Sequence, residues 1–556
     1  MSREYWAMSI MDYELKKVSI KSAAEQLNVS VVSIHNWIKD GSLQTTNNFL
    51  TQKNIDDFID NFLNSKKLSS RANKQYKDLH NHNSLSKEIR KDLKSSMSGD
   101  SISSKYESSL SESYKNKEGI YYTPQYIVED MMKGVVDVEN KMFLDPCCGS
   151  GNFIIEAIEK GFSPENVYGF DIDENAVEIT KKRIKEISGY ESDNIICADF
   201  LSQKSKVKSQ KFDYIFTNPP WGKKINKVDR LRYSSLYNSG NSIDTSALFY
   251  FACIKMLKED GIIGMLMPDS FFNITTFEDA RKSLLTLKIS RFVDYGKAFK
   301  GLMTKAVAFV ATKANSQQLT ANSQIQCEIY NVKKHLRSQD GFLKVPKHIF
   351  NFHIEEKEND IIRQVYSLPH ITLKDNAQWG LGIITGNNEK LCRKEGTEGY
   401  LPIFRGKEIF KDKMAEPSLF VNENLEGCRQ VADLRLYKSP NKIIYRFISN
   451  KIVCFHDTEQ RYVLNSANLF VLKDDFPVSY SQLVSLLNSD FMNWLFRSVF
   501  NTHKILRGDL EMLPIFHEYF KENEVFSEDA FKDYMTTRSQ DNKCCDLDSD
   551  YQLVVL

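Results

Sequence analysis

Hydrophobic positions along this chain follow two periods. Apolar runs of strand length occur at residues 141–145, 166–170, 195–197 and 212–217, and segments with helical spacing at 125–132, 153–158 and 174–187 lie before and between them. The alternation predicts an α/β domain with a doubly wound, Rossmann-like parallel sheet and a ligand crevice at the carboxyl ends of its strands. Residues 19–30 read as a helix, a turn and the cap of a second helix at 31–39, where Ile34, Trp37 and Ile38 share a face. A small all-α N-terminal domain is expected there. Beyond residue 332 the pattern breaks into strand-like runs at 378–386, 401–409 and 443–447 and a helical segment near 486–489, which predicts a mixed α+β C-terminal domain.

Residues 64–105 are rich in Ser, Lys and Asn with little apolar period, and Lys66, Lys67, Arg71, Lys74, Lys77, Lys87, Arg90, Lys91 and Lys94 make them a basic, solvated linker with room for a short helix. After residue 523 the chain turns polar and acidic. The expected boundaries are 1–63 for the helical module, 64–105 for the linker, 106–332 for the α/β domain, 333–523 for the C-terminal domain and 524–556 for a polar tail. A chain of 556 residues suits about three or four such parts.

Composition changes this picture only a little. The net charge is +1, so nucleic-acid binding requires basic residues sorted locally, as in the linker and the C-terminal half. The ten cysteines show no paired metal-ligand spacing, so no metal site is expected, and they imply reduced thiols. The first residues lack a signal-peptide pattern, and no apolar run reaches the ~18 residues of a membrane helix. A soluble cytoplasmic protein without a membrane partner is expected.

Chemistry concentrates at the ends of the predicted strands. Asn218-Pro219-Pro220-Trp221 follows the run 212–217. An amine conjugated with an aromatic ring is a poor nucleophile, because its lone pair is delocalised. An Asn oxygen and the carbonyl before a rigid Pro-Pro step can accept both amino hydrogens and favour a tetrahedral nitrogen, while the aromatic residue holds the substrate face. Upstream, Asp145-Pro146-Cys147-Cys148-Gly149-Ser150-Gly151-Asn152-Phe153 makes a glycine turn between strand and helix, where backbone can approach a ligand. Its spacing matches neither the dinucleotide fingerprint nor a P-loop, which argues against nicotinamide and ATP. Asp171, directly after the second strand, suits a ribose, and Asp173 suits the cap of the next helix. Asp199 and Phe200 follow the third strand and suit an adenine ring. Thr123 and Pro124 read as the cap and first position of a helix.

Taken together and in this order, the blocks from about Tyr121 to Val310 resemble the gamma-class, TaqI-like DNA adenine-N6 methyltransferases. The resemblance implies a methyltransferase sheet that uses S-adenosyl-L-methionine and puts Tyr122, Thr123, Asp145, Cys147, Gly149, Gly151, Asp171, Ile172, Asp199, Phe200 and Asn218 on that cofactor. It implies a catalytic segment of Asn218, Pro219, Pro220 and Trp221 in which Asn218 and Pro219 polarise the target amine and Trp221 stacks on a flipped adenine, where the family more often has Tyr or Phe. A second base-stacking aromatic is expected after Met267-Pro268. Counting back from Arg281 favours Phe277 over Phe271 and Phe272. Cys147 and Cys148 read as small packing residues, since a direct displacement needs no nucleophilic thiol.

The N-terminal module is similar to excisionase or MerR-like helix-turn-helix units, with residues 40–43 as a wing-like turn. Its DNA-facing candidates are Ser30, Ser33, His35, Asn36 and Lys39, against the alternative of a packing module. The C-terminal domain resembles the family's target-recognition domain, with Arg405, Lys407, Arg446, Lys504 and Arg507 as DNA candidates. The expected partner is double-stranded DNA, with a separate restriction endonuclease as a further partner and a monomer or dimer as the assembly. Alternatives are a modification subunit of a multisubunit system, a protein-glutamine methyltransferase and a non-catalytic DNA-binding regulator. No nuclease block is present, so no cleavage activity is expected.

Overall fold

The protein is seen in a computed structural model that describes residues 17–27, 29, 31–39, 43–46, 49–59, 85–202, 210–223, 225–314, 323–343, 345–502 and 504–541. It forms two compact units, Met1–Pro268 with Tyr295–Asn315, and Asp269–Asp294 with Ser316–Leu556.

In the first unit the short pair β1 (Lys17–Val18) and β2 (Leu50–Thr51) runs antiparallel and closes the N-terminal module, which is therefore not all-α. Two-residue strands carry no readable period. Helices Ile20–Gln26, Val31–Lys39 and Gln52–Phe58 share a core of Ala23, Leu27, Ile34, Trp37, Leu50, Ile55 and Phe58. Ser19 caps the first of these helices, accepting from the Ser22 amide, and a Thr51/Asn54 capping box opens the third.

The main sheet of this unit contains β3 (Phe143–Asp145), β4 (Val167–Asp171), β5 (Ile195–Cys197), β6 (Phe212–Thr217), β7 (Leu257–Pro268) and β9 (Ala306–Thr312). Their order is β9-β7-β6-β3-β4-β5, parallel except for β9. The chain moves from β3 to β4 and β5 on one side, then returns to place β6 on the other. The crevice expected at such a reversal lies between β3 and its neighbours, above their carboxyl ends. Buried runs such as Phe143-Leu144 and Tyr214-Ile215-Phe216 explain why these segments are strands covered on both faces.

The linker reading fails for residues 85–105. Residues 85–93 and Gly99–Ser109 are helices. Leu85, Ile89, Ile102, Tyr106 and Leu110 form one buried cluster with Ala176 and Ile179 of helix Glu174–Ser188. Arg90 pairs with Glu174 and Arg183 with Asp100. The apolar residues keep helical spacing, but the Ser and Lys between them mask it. Residues 64–84 lie outside the described residues.

In the second unit β8 (Lys288–Asp294) runs parallel to β10 (Gln324–Ile329), which pairs antiparallel with β11 (Lys333–Ser338). Strands β10 and β11 thus group with the C-terminal part, earlier than the expected boundary at 333. An antiparallel sheet follows in the order β12 (Ala377–Leu381), β19 (Ala467–Leu472), β16 (Lys442–Arg446) and β17 (Cys454–Asp457). A second, mixed sheet has the order β13 (Cys392–Arg393), β15 (Leu419–Asn422), β14 (Tyr400–Phe404) and β18 (Tyr462–Val463), with β18 parallel to β14. Helices Tyr480–Leu487 and Asp490–Phe500 join the larger core. Phe526, Phe531 and Met535 are buried in that same core, and residues 528–541 are helical. The stretch 524–541 is therefore a packed element rather than a tail, and 542–556 lie outside the described residues.

Candidate active site

Four strand ends converge on one cavity of about 400 Å³. Strand β3 delivers Asp145 and the glycine turn, β4 delivers Asp171 and Ile172, β5 leads to Asp199 and Phe200, and β6 leads to Asn218 and Pro220. Tyr122, Thr123, Cys147 and Gly149 complete the predicted lining, and Ile172 is 51% exposed at the cavity wall. Gly151 stands one position behind the wall, as the left-handed residue (φ +96°) before helix Asn152–Glu159. A Cβ there would meet Thr180 Cγ2 at 2.8 Å, and one on Gly149 (φ +51°) would meet the Tyr122 ring at 3.0 Å. Both glycines are needed for conformation and for space.

The acidic residues are held before any ligand arrives. Asp171 accepts from the Gly149 amide through Oδ2 (2.9 Å) and from the Asp173 amide through Oδ1 (2.9 Å), tying the glycine turn to the end of β4. Asp173 caps helix Glu174–Ser188, accepting from the Asn175 amide at 3.0 Å. Asp145 is 1% exposed and accepts from Thr217 Oγ1 (2.6 Å) and the Cys147 amide (3.0 Å). Burial pushes its carboxyl up to about 7 and that of Asp171 up to about 6, although the hydrogen bonds to each act in the opposite sense. Burial likewise drives the Cys147 and Cys148 thiols well above their usual range, which fits packing and not nucleophilic attack.

Thr123 does not cap the next helix. Pro124 occupies the cap position without a side-chain bond, and the buried Thr123 accepts from Asn152 Nδ2 through its carbonyl (2.9 Å). A clamp that the sequence did not announce holds the two cofactor-side turns. On helix Gly99–Ser109, the Tyr106 hydroxyl donates to Asp173 and neighbouring Glu107 accepts from Ser150 Oγ. Arg183 adds bonds to the Ser150 carbonyl (2.7 Å) and Asn152 Oδ1 (2.8 Å).

Asn218 is the most telling residue. Its Nδ2 donates to the Tyr121 carbonyl at 2.7 Å, which fixes the amide orientation. Its Oδ1 is buried without a hydrogen-bond partner, and the residue lines the cavity. Trp221 behaves differently from its neighbours. It is 7% exposed, its Nε1 donates to the Leu266 carbonyl at 3.2 Å, and it is absent from the cavity wall, as is Pro219. Phe299 packs edge-on against Trp221 with centroids 5.3 Å apart and lies equally close to Tyr121. Phe277, the expected second aromatic, is 4% exposed and packs against Phe271 at 5.5 Å, within the second unit's own aromatic cluster. There the fully buried Arg281 donates to the Phe271, Ile274, Lys347 and His348 carbonyls.

Helix Lys227–Tyr237 supplies wall residues that sequence reasoning missed. Asp229 and Tyr233 line the cavity, the Tyr233 hydroxyl donates to Asp199 Oδ2 (3.0 Å), and the Tyr237 hydroxyl donates to the Leu201 carbonyl (2.8 Å). Their four-residue spacing was the available signal. Phe249 stacks on Phe200 at 5.8 Å, and Lys223 pairs with Glu118 at 3.2 Å, all at the same cavity.

The proposed DNA residues divide into two groups. Lys407, Lys504 and Arg507 are exposed, Arg507 also pairing with Glu511 (2.7 Å), whereas Arg405 is bonded to Glu408 and Ser418 and Arg446 donates to the Ile409 carbonyl (2.8 Å). Those last two guanidiniums hold local structure. Ser33 is half-buried and His35 exposed on helix Val31–Lys39. Ser30, residues 40–42 and the side chains of Asn36 and Lys39 lie outside the described residues.

Comparison with known proteins agrees with this geometry. Residues 97–348 match the model of the N-6 DNA Methylase family, and residues 401–515 match the TaqI-like C-terminal specificity domain. The Type II methyltransferase M.VspI of Vibrio sp. (strain 343) is 44% identical over 399 residues, covering 71% of this chain and 97% of that protein. The chain belongs to the TaqI-like N6 DNA methyltransferases. The modification methylase CviBIII of Paramecium bursaria Chlorella virus NC1A is 31% identical over 34% of this chain and 48% of its own length. Among solved structures, a nuclease-deletion mutant of the Type ISP restriction-modification enzyme LlaGI in complex with a DNA substrate mimic has a TM-score of 0.50. It is 12% identical over 90% of this chain and 66% of its own, a likeness of fold alone. Among the described residues no helix is long and apolar enough to cross a membrane.

Proposed function

We propose that this methyltransferase acts on the N6 amine of an adenine extruded from a specific DNA sequence, as the modification enzyme of a restriction-modification system. The observation that carries the reading is the unpartnered Asn218 Oδ1 at the cavity wall. A buried acceptor without a donor costs about 1–3 kcal/mol, so its persistence is accounted for if a substrate amine supplies the missing hydrogens.

The wall fits S-adenosyl-L-methionine, which when bound supplies an electrophilic methyl group on a sulfonium. Asp171 has spare lone pairs on both oxygens for a pair of ribose hydroxyls. Asp199 and Phe200 suit the adenine amino group and ring, and the glycine turn leaves room for backbone approach. Asn218 Oδ1 and the Pro219 carbonyl accept the two amino hydrogens of the target base, pulling its lone pair out of conjugation. Exclusion of water by the aromatic trio Tyr121, Trp221 and Phe299 strengthens those bonds. The TaqI-like specificity domain in the same chain supports recognition without a separate specificity subunit.

The test is incubation of the purified chain with labelled S-adenosyl-L-methionine and mixed genomic DNA, followed by nucleoside analysis and mapping at base resolution. Label as N6-methyladenine within one short motif is the expected outcome, and label on protein with none in DNA would overturn the reading.

We propose Phe299, in place of Phe277, for the second base-holding role, supported by its packing against Trp221. Phe299→Ala is expected to lower methylation of a duplex by on the order of 10–10²-fold, in line with the ~1–3 kcal/mol that stacking of a base on an aromatic ring contributes. S-adenosyl-L-methionine affinity should change little. Equal rates for Phe299→Ala and wild type on the mapped motif would return the role to another ring.

A further inference from the structure

The loop between β8 and β9 carries a feature that the site description does not use. Its ends are joined, the Tyr295 amide donating to the Ala306 carbonyl (2.9 Å) and the Ala306 amide to the Gly296 carbonyl (2.8 Å), so residues 296–305 project as a closed loop. The ten residues are Gly-Lys-Ala-Phe-Lys-Gly-Leu-Met-Thr-Lys, with three lysines and no acidic residue. Two anchors fix the loop at its middle. Phe299 is buried against Trp221 and Tyr121, the residue whose carbonyl holds Asn218. Gly301 (φ +79°) lies so close to helix Glu112–Glu118 that a Cβ there would come within 3.1 Å of the Glu112 carboxylate. A turn closes between them, the Leu302 amide donating to the Phe299 carbonyl at 3.2 Å.

Directly after that turn stands Met303, 77% exposed, with the Lys297 ammonium 3.8 Å from its sulfur. Lys297 and Lys300 are themselves exposed. An exposed thioether on a doubly anchored loop is poorly accounted for by packing. Four residues of chain reach at most ~14 Å, so Met303 is held near the aromatic trio at the catalytic Asn-Pro-Pro-Trp segment.

Resting on the function proposed above, we infer that loop 296–305 is a DNA-contacting element. Lys297 and Lys300 meet the phosphates flanking the target nucleotide, and Met303 enters the duplex as an apolar wedge where the adenine leaves the stack. Charge complementarity selects the occupant: the loop is purely cationic, with the Glu112 carboxylate as the acidic group packed against it. An unbranched thioether has the adaptability to fill the gap left by an unstacked base, and apolar side chains inserted between base steps are an established means of holding such a gap open. Extrusion requires this because the vacated step would otherwise close again, at a gain of a few kcal/mol.

The experiment uses the full chain and a duplex bearing 2-aminopurine at the mapped target position, whose fluorescence rises when the base leaves the stack. With Met303→Ala, duplex affinity should stay within about threefold of wild type while the fluorescence rise and kcat both fall by about tenfold, and S-adenosyl-L-methionine affinity stays unchanged. Met303→Leu, which keeps apolar volume, should restore most of the signal. With Lys297→Gln/Lys300→Gln, the slope of log affinity against log salt should fall by about 1–2. A fluorescence rise in Met303→Ala equal to wild type overturns the wedge, and an unchanged salt slope in the lysine variant overturns the phosphate contact. Wild-type protein that binds the duplex with no fluorescence rise overturns base extrusion itself, and the wedge with it.

Discussion

Asn218→Ala is expected to lower kcat by on the order of 10²-fold or more, by analogy with removal of one preorganised partner of a developing charge. S-adenosyl-L-methionine affinity should remain near wild type. The structure supplies the reason for the asymmetry. In the resting protein the side chain makes one bond, to the Tyr121 carbonyl, and its oxygen makes none. The substitution therefore removes an acceptor used only when substrate is present, together with one donor to a backbone carbonyl. Stability should shift little, because the buried oxygen that lacks a partner, a cost of about 1–3 kcal/mol, is removed along with the one bond the side chain makes. Asn218→Asp is a sharper control. It replaces the donating Nδ2 with an oxygen facing the Tyr121 carbonyl, so the side chain must turn away or take up a proton. Both variants should lose turnover, and the Asp variant should also lose melting temperature. Single-turnover rates on the mapped motif, with calorimetric cofactor binding and thermal melts, read all three quantities. A tenfold or greater loss of cofactor affinity in Asn218→Ala would mean that the residue serves the cofactor and not the amine.

The parts of this site that sequence made legible share one physical cause. Asp145, Asp171, Asp199 and Asn218 each end or follow a short, mainly apolar run, and in a parallel sheet covered on both faces such runs form buried strands whose polar ends meet at the carboxyl edge. The glycine turn was legible because positive φ and close approach both require glycine. What sequence hid depends on contacts distant along the chain. Tyr106 and Glu107 lie more than 60 and 40 positions from their partners Asp173 and Ser150, in a segment whose Ser and Lys content reads as solvated. Counting back from Arg281 weighs Phe277 against Phe271 and Phe272 and leaves Phe299 out for the same reason. Phe299 is buried beside Trp221, a contact between distant parts of the chain that no local count reveals. Arg405 carries a second hidden contact, since a basic residue in a strand-like run reads as free for DNA and the fold bonds its guanidinium to Glu408 and Ser418.

The second large effect concerns Asp171 and is a matter of pH. Burial raises its carboxyl to about 6, above the usual carboxylate range. A carboxylate that accepts ribose hydroxyls must be ionised, so S-adenosyl-L-methionine affinity should weaken by up to about tenfold per unit as pH falls below 6, while Asp145 on the same wall, its carboxyl raised to about 7, sets any dependence just above that window. The sign for folding is opposite. With the folded value raised above the unfolded one, Asp171 contributes most to stability below about pH 4, and that contribution is lost as pH rises toward 6, so the cofactor-free protein gives up stability over the window in which the site gains its binding form. Asp171→Asn should remove the part of the pH dependence centred near 6 and lower affinity at pH 8 by on the order of 10²-fold, since an amide offers only one acceptor oxygen to the Gly149 and Asp173 amides and two hydroxyls. Titration calorimetry with S-adenosyl-L-methionine from pH 5 to 8 measures this without DNA. A wild-type affinity that does not change between pH 5 and 8 would remove Asp171 from the cofactor site, whatever the outcome for Asn218.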